Sequence, residues 1–369
     1  MKHGLLITAI IAAIATGCTG TKTQNDDTLL MFTGSYAPAD STGIKCYSFN
    51  QQTGEWNLIS EAAGVSNPSF ICVDAENHRL YSVGEDSGNS STMNMLFYEP
   101  DGSGLTLCAS DTTGGAAPCH IILSPDGNRV FTANYMGGSI SAYTLDSTGH
   151  FADTVKIIQF YGGSVDSLRQ SRPHLHQLSF IPATGTMLAN DLGTDKIYVI
   201  PDPYTGEGRK ELNIKPGSGP RHTTFDSTGT HAYMLTEISG EINVFDVSGD
   251  ELTLKQTIAA DSLNAEGSAD IHLSPDNEFL YASNRLKGDG VVIFKVNPAN
   301  GTLTRIGFQP TGAHPRNFAI TPNGKFLLVA CRDTDTIEIY RRDSSTGLLE
   351  LCGNIPSSRP TCIAFTQAK

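Results

Sequence analysis

The stretch Gly217 to Glu237, GSGPRHTTFDSTGTHAYMLTE, holds an arginine, a histidine and a carboxylate at spacings that one hairpin brings together. The run Thr223-Thr224-Phe225 leads into a polar turn at Asp226-Ser-Thr-Gly229. The chain then returns through Ala232-Tyr-Met-Leu235 to Thr236-Glu237. Strand, Gly-containing turn and strand read as a β-hairpin, and a hairpin returns to the end it started from. Arg221 and His222 at its entry therefore lie near Glu237 at its exit. A guanidinium pairs bidentately with carboxylate or phosphate, while imidazole and carboxylate are groups that move protons.

The rest of the chain repeats this element. Copies run from Asn67-Pro-Ser69 to Val83-Gly-Glu85, and from Ala117-Pro-Cys-His120 to Ala133-Asn-Tyr135. Others run from Arg172-Pro-His174 to Asn190-Asp191, from Gly267-Ser-Ala-Asp270 to Ser283-Asn-Arg285, and from His314-Pro-Arg316 to Ala330-Cys-Arg332. A last copy opens at Arg359-Pro-Thr-Cys-Ile and has only a first strand. The leading prolines fall at 68, 118, 173, 220, 315 and 360, with Ala269 in the place of the missing one. A repeat of about 45–50 residues with four strands per unit is that of a β-propeller blade. The missing outer strands of the last unit stand at the N-terminus, in Leu29–Thr33, Ile44–Phe49 and Trp56–Ile59. The expectation is an all-β, seven-bladed propeller over residues 29–369, its last blade closed by a C-terminal inner strand and N-terminal outer strands.

In a propeller, first-strand starts and second-strand ends meet at one mouth of the central channel. Here the starts supply Ser69, Cys119, His120, His174, His176, Arg221, His222, Asp270 and Arg316. The ends supply Glu85, Tyr135, Asp191, Glu237, Asn284, Arg285 and Arg332. The opposite rim is built from turn formers such as Ser124-Pro-Asp-Gly127, whose acids stabilise turns. An arginine-rich mouth on a chain of net charge −13 points to a small anionic ligand, and the overall charge argues against nucleic acid as a partner. His174 and His176 on one strand face would also permit a metal, but no third ligand is specified, and neither metal nor cofactor is expected. An alternative reading makes Arg221 with Glu237 an inter-blade ion pair without substrate, and His120 and His222 groups bonded to the neighbouring blade. There is no Gly-rich phosphate loop opening a helix and no serine-nucleophile elbow.

Met1–Cys18 reads as a processing segment: Lys2, an apolar run Leu5–Ile14, then Ala15-Thr16-Gly17-Cys18. It resembles a bacterial lipoprotein signal, with Cys18 lipidated, residues 19–28 as a polar tether, and the envelope as the location. The other cysteines read as small buried hydrophobes, chiefly Cys46, Cys72, Cys119, Cys331 and Cys362 within strand-like runs.

A family resemblance covers nearly all of the mature chain. It is carried by Thr33-Gly-Ser-Tyr36, Asn67-Pro-Ser69, Ala133-Asn-Tyr-Met-Gly-Gly-Ser139, Arg169-Gln170 with Pro173-His174-Leu-His176, and Asp191-Leu-Gly193. Gly217-Ser-Gly-Pro-Arg-His222, Thr236-Glu237, Ala282-Ser-Asn-Arg285 and Pro315-Arg-Asn-Phe318 complete it. With these motifs the chain resembles the seven-bladed propeller lactonases, the family of bacterial 6-phosphogluconolactonase and fungal carboxymuconate-lactonising enzyme. The resemblance implies a catalytic set of His174, Arg221, Glu237 and Arg285. Beside that set, the reading of the rim offers His120, His176, His222, Asn284 and Arg316 as substrate contacts. Hydrolysis would then use His174 or Glu237 as base, with His174 favoured, and Arg221 or Arg285 at the oxyanion. Two alternatives stand beside it: an isomerase or cycloisomerase of a carboxylated lactone, and an envelope propeller that binds a ligand without turnover. The export signal sits poorly with a cytoplasmic phosphorylated metabolite, so a lactone site is supported more strongly than that one substrate.

Overall fold

A computed structural model of the chain describes residues 27–368 together with Met1. The processing segment, Cys18 and most of the tether lie outside the described residues. The strands form seven four-stranded antiparallel sheets. Blade 1 has the order Pro360–Gln367, Thr28–Ser35, Ile44–Asn50, Trp56–Ala62. The innermost strand thus comes from the C-terminus and the three outside it from the N-terminus. The innermost strands of blades 2 to 7 are Ile71–Asp74, Pro118–Leu123, Leu175–Phe180, Pro220–Phe225, Ser268–Leu273 and Pro315–Ile320.

Burial across a blade follows position in the sheet. The second strand of blade 6, Phe279–Asn284, is buried at every residue. The outermost strand of blade 5, Glu251–Ala259, alternates partly buried and exposed residues, because only one face packs on a neighbour. Apolar clusters form at all seven blade interfaces, each drawing on two adjacent blades. The one between blades 5 and 6, for example, joins Tyr233, Leu235 and Val244 to Leu280, Ala282 and Phe294. Each buried Val, Leu or Phe of this kind contributes roughly 1.5–3 kcal/mol. A closed ring satisfies every blade in this way, whereas an open one would leave two apolar sheet faces in water.

Tyrosines fasten the interfaces at the far rim. Tyr81, Tyr233 and Tyr281, each on a second strand, donate hydrogen bonds of 3.0, 2.9 and 2.8 Å to the carbonyls of Gly149, Gly301 and Gly347. Each glycine lies in the outer turn of the following blade. Gly347 has φ +73°, and a Cβ there would come within 2.3 Å of the Phe279 ring, so no other residue fits without strain. Cys46, Cys119, Cys331 and Cys362 are buried and Cys72 partly so, while Cys108 and Cys352 are exposed; all are free thiols among the described residues.

The N-terminal strand runs away from the far rim. Thr28 sits beside the end of the innermost strand, where the Ala368 N–H reaches the Thr28 carbonyl at 3.3 Å. Ser35, at the other end, pairs with Pro360 at the mouth.

Candidate active site

Near the mouth, the ladders between innermost and second strands skip residues. Pro220 pairs with Thr236 and His222 with Leu235, which leaves Arg221 as the extra residue of a β-bulge. Cys119, His176, Arg316 and Thr361 hold the same position in their blades, and blade 6 skips Ala269 and Asp270. A bulge re-aims the side chain it carries. Here it turns these side chains into the channel, where Cys119, His176, Arg221, Arg316 and Thr361 border one small cavity.

Arg221 is the largest fully buried side chain, at 1% exposure. A charge so buried must be paired. Its Nε donates to Glu237 Oε2 at 2.7 Å, and its Nη1 donates to the Ala269 carbonyl and lies 3.3 Å from His222 Nε2. Two further guanidinium groups reach the same carboxylate. Arg169 Nη2 donates to Oε1 at 2.6 Å, and Arg285 Nη2 lies 3.3 Å from Oε2. Burial alone would raise the Glu237 pKa; Arg285, Arg221 and Arg169 outweigh it and hold the carboxyl at about 2. A carboxylate so acidic has no tendency to take a proton from water. Between His174 and Glu237 as base, the geometry therefore favours the imidazole.

His174 is fixed from three sides. Its backbone N–H donates to Asp191 Oδ1 at 2.7 Å, and the same oxygen accepts the Gly193 N–H. Its ring stacks on Tyr135, with centroids 4.3 Å apart and planes 20° from parallel. Its Nδ1 lies 2.8 Å from the Tyr135 carbonyl, which can only accept, so Nδ1 carries the proton. Nε2 is then a bare lone pair, and it has no partner among the described residues. Burial lowers the His174 pKa below its ordinary value, so the ring is neutral at pH 7. The Tyr135 hydroxyl links this ring to the carboxylate clamp, since it lies 3.3 Å from the Arg169 Nη2 that bonds Glu237.

Arg285 spends most of its donors within the protein. Nε goes to the Gly267 carbonyl at 2.9 Å, Nη2 to the Ser268 carbonyl at 3.4 Å, and Nη1 lies 3.2 Å from His314 Nε2. Burial lowers it to about 9, still a cation at neutral pH. A second pair stands across the channel: Arg316 Nη2 lies 3.8 Å from Glu85, which accepts the Tyr36 hydroxyl at 2.9 Å.

The four expected catalytic residues thus share one end of the channel, and the five binding candidates divide. Arg316 and His176 face the channel, His176 Nε2 lying 3.9 Å from Glu237. His222 borders the same cavity but is tied into the protein, its Nδ1 donating to Asp270 at 2.7 Å, its Nε2 lying 3.3 Å from Arg221 Nη1, and its pKa driven by burial to about 4. His120 packs on Phe70 at 4.4 Å and is kept neutral by burial. Asn284 serves the fold with part of its amide: its Nδ2 donates to the Ala260 carbonyl at 2.9 Å and its Oδ1 accepts the Ser268 hydroxyl at 2.6 Å, which ties strands together and leaves one N–H and one lone pair. The expectation that His174 and His176 share a strand face fails. His174 precedes the strand and His176 is its bulge, turned towards His222 at 5.2 Å. Arg169 is absent from the expected set. It stands on the connection 160–174, held by the Gln170 amide to the Leu192 carbonyl at 2.9 Å. Its one trace in the sequence is the Arg169-Gln170 pair beside the histidine motif.

One mouth of a closed seven-bladed propeller thus gathers a neutral, oriented imidazole and an arginine-clamped carboxylate. Residues 30–365 match the family described as Lactonase, 7-bladed beta-propeller, and the chain belongs to that family. It is 36% identical over 332 residues to a 6-phosphogluconolactonase of Formosa agariphila, covering 87% of this chain and 94% of the relative. It is 30% identical over 347 residues to the 6-phosphogluconolactonase of Bacillus subtilis, covering 90% and 97%. Among solved structures, that of a candidate 6-phosphogluconolactonase from Bacteroides fragilis superposes with a TM-score of 0.88 at 43% identity, covering 93% of this chain and 99% of the other. A periplasmic gluconolactonase from Pseudomonas aeruginosa superposes with a TM-score of 0.85 at 27% identity, covering 93% and 100%.

Proposed function

We propose that this chain hydrolyses the ring ester of a sugar or sugar-acid lactone, as a 6-phosphogluconolactonase-like lactonase. The observation that carries the reading is the pairing of a free His174 Nε2 with three guanidinium groups gathered on the single carboxylate of Glu237. The bare Nε2 takes a proton from water as the water oxygen bonds to the lactone carbonyl carbon. The negative charge that moves onto the carbonyl oxygen meets N–H groups of Arg221 and Arg169 that Glu237 does not use. Collapse breaks the ring C–O bond, and the proton on Nε2 passes to the leaving alkoxide. The product is the open-chain hydroxy acid, and its carboxylate faces the same arginines. Arg316 supports the anionic part of the substrate, because its guanidinium makes no hydrogen bond to the described residues and sits 5.2 Å from the Tyr36 ring centre. A pH-stat assay of the mature protein on δ-gluconolactone, 6-phosphogluconolactone and carboxymuconolactone tests this. Acid release is expected from the sugar lactones. A folded protein that releases acid from none of them would leave the binding-only alternative.

We further propose that the mature chain is lipid-anchored through Cys18 in the bacterial envelope. The support is the order of residues in Met1–Cys18 and the polar run that follows it. Membrane fractionation of cells expressing wild type and Cys18→Ser decides the matter. Wild type is expected with the membranes and the variant in the soluble fraction; equal partitioning of both would count against an anchor.

A further inference from the structure

Beneath the reaction centre the channel closes on a cavity of about 10 Å³, space for a single small occupant. Its wall includes two guanidinium groups, Arg221 and Arg316, and no carboxylate. Two other wall residues, Ser69 and His176, are 2% and 5% exposed, yet Ser69 Oγ and His176 Nδ1 are buried without any hydrogen-bond partner. Neighbouring polar groups on the wall are already used. Asn317 bonds Asp270 and the Ile363 N–H, Thr361 bonds the Gly34 carbonyl, and the Cys119 thiol lies against the Leu175 and His176 carbonyls. What remains unspent is the Ser69 hydroxyl, the His176 Nδ1, which donates to an occupant in the Nδ1–H tautomer, Nη2 of Arg221 and the guanidinium of Arg316.

We propose that this cavity is a binding site for a monatomic anion, chloride or another halide, held by Ser69, His176, Arg221 and Arg316. Two facts favour an anion over water, and a third limits its size. Arginine only donates, so an occupant that only accepts satisfies every free group, while a water would also need somewhere to place its own protons. The charges nearby do not balance: Arg169, Arg221 and Arg285 share Glu237, Arg316 stands 3.8 Å from a Glu85 that already accepts from Tyr36, and the remaining carboxylate, Asp270, is engaged by His222 and Asn317. The volume admits one atom of this size and excludes a phosphate or a sugar carboxylate. The site shares Arg221 and Arg316 with the proposed lactone site, but its occupancy is read on the protein without substrate, so its failure and that of the lactonase reading are distinguishable. Its effect is to neutralise the cationic floor of the channel and so hold Arg221 and Arg316 in place.

Two measurements test it on the wild-type protein. Crystals soaked in sodium bromide, with diffraction recorded at the bromine edge, are expected to show an anomalous peak between Arg221 and Arg316. Thermal unfolding at fixed ionic strength, with chloride replacing the bulkier isethionate, is expected to show a saturable rise in Tm. Ser69→Ala should raise the half-saturating chloride concentration roughly tenfold, the loss of one hydrogen bond to an ion. Absence of the bromide peak, or identical Tm values in chloride and isethionate, would overturn the proposal in favour of a trapped water. A peak without a saturable rise would overturn it as well, as an ion bound only at crystal concentrations.

Discussion

His174→Ala lowers kcat for lactone hydrolysis by about 10²–10⁴-fold, the range in which a positioned general base contributes. The loss falls on kcat, because the arginines that grip the substrate are untouched. Stability changes little: one hydrogen bond to the Tyr135 carbonyl and one stacked ring are removed, about 1–2 kcal/mol in all. The pH profile is the sharper readout. The base works when neutral, and burial lowers its pKa from the ordinary 6.5. Wild-type kcat/KM is therefore flat through neutral pH and falls on an acid limb centred below 6.5. That limb should vanish in the residual activity of His174→Ala. If the variant keeps both its rate and its acid limb, His174 is not the base.

Glu237→Gln is expected to be the most destabilising single change in the channel. Removing one member of a buried ion pair costs about 3–5 kcal/mol, and this carboxylate serves three cations. The same residue gives the protein an acid-labile component of stability. Its folded pKa of about 2 lies below the ordinary 4.5, so the stabilisation is present in full above pH 4.5 and is lost as the pH falls towards 2. The difference corresponds to roughly 3 kcal/mol. Urea denaturation of wild type and Glu237→Gln at pH 7 and pH 3 gives the comparison. The two should differ widely at pH 7, and the gap should narrow by roughly 2 kcal/mol at pH 3. A gap that is constant with pH would mean that the arginines do not depress this carboxyl.

The architecture was legible because each blade needs the same local signals: a proline-led inner strand, a Gly-containing turn and a buried return strand. Those signals are chemical and recur at the blade period. The site was legible only in part. Hairpin topology carries Arg221 to Glu237, and the ring carries His174 and Arg285 to the same end. What topology cannot supply is the direction in which a side chain points. The bulges at His176, Arg221 and Arg316 each add one residue to a ladder and break the alternation on which a strand reading depends. Asn284 shows a related ambiguity: a polar residue at the end of a buried strand serves backbone carbonyls as readily as ligands. Arg169 was missed because its connection has no periodicity, and only the folded loop carries it to Glu237.

The polarity of one strand has a mechanical consequence. Thr28 begins at the rim opposite the mouth, and its strand lies between Pro360–Gln367 on one side and Ile44–Asn50 on the other. A leash attached ahead of Thr28 would pull along that strand's axis, so the load is shared in shear by two ladders at once and no hydrogen bond is peeled open alone. The leash would also leave from the keel. A molecule moored this way rides with its opening turned outward, free to meet solutes while its base faces the surface that holds it.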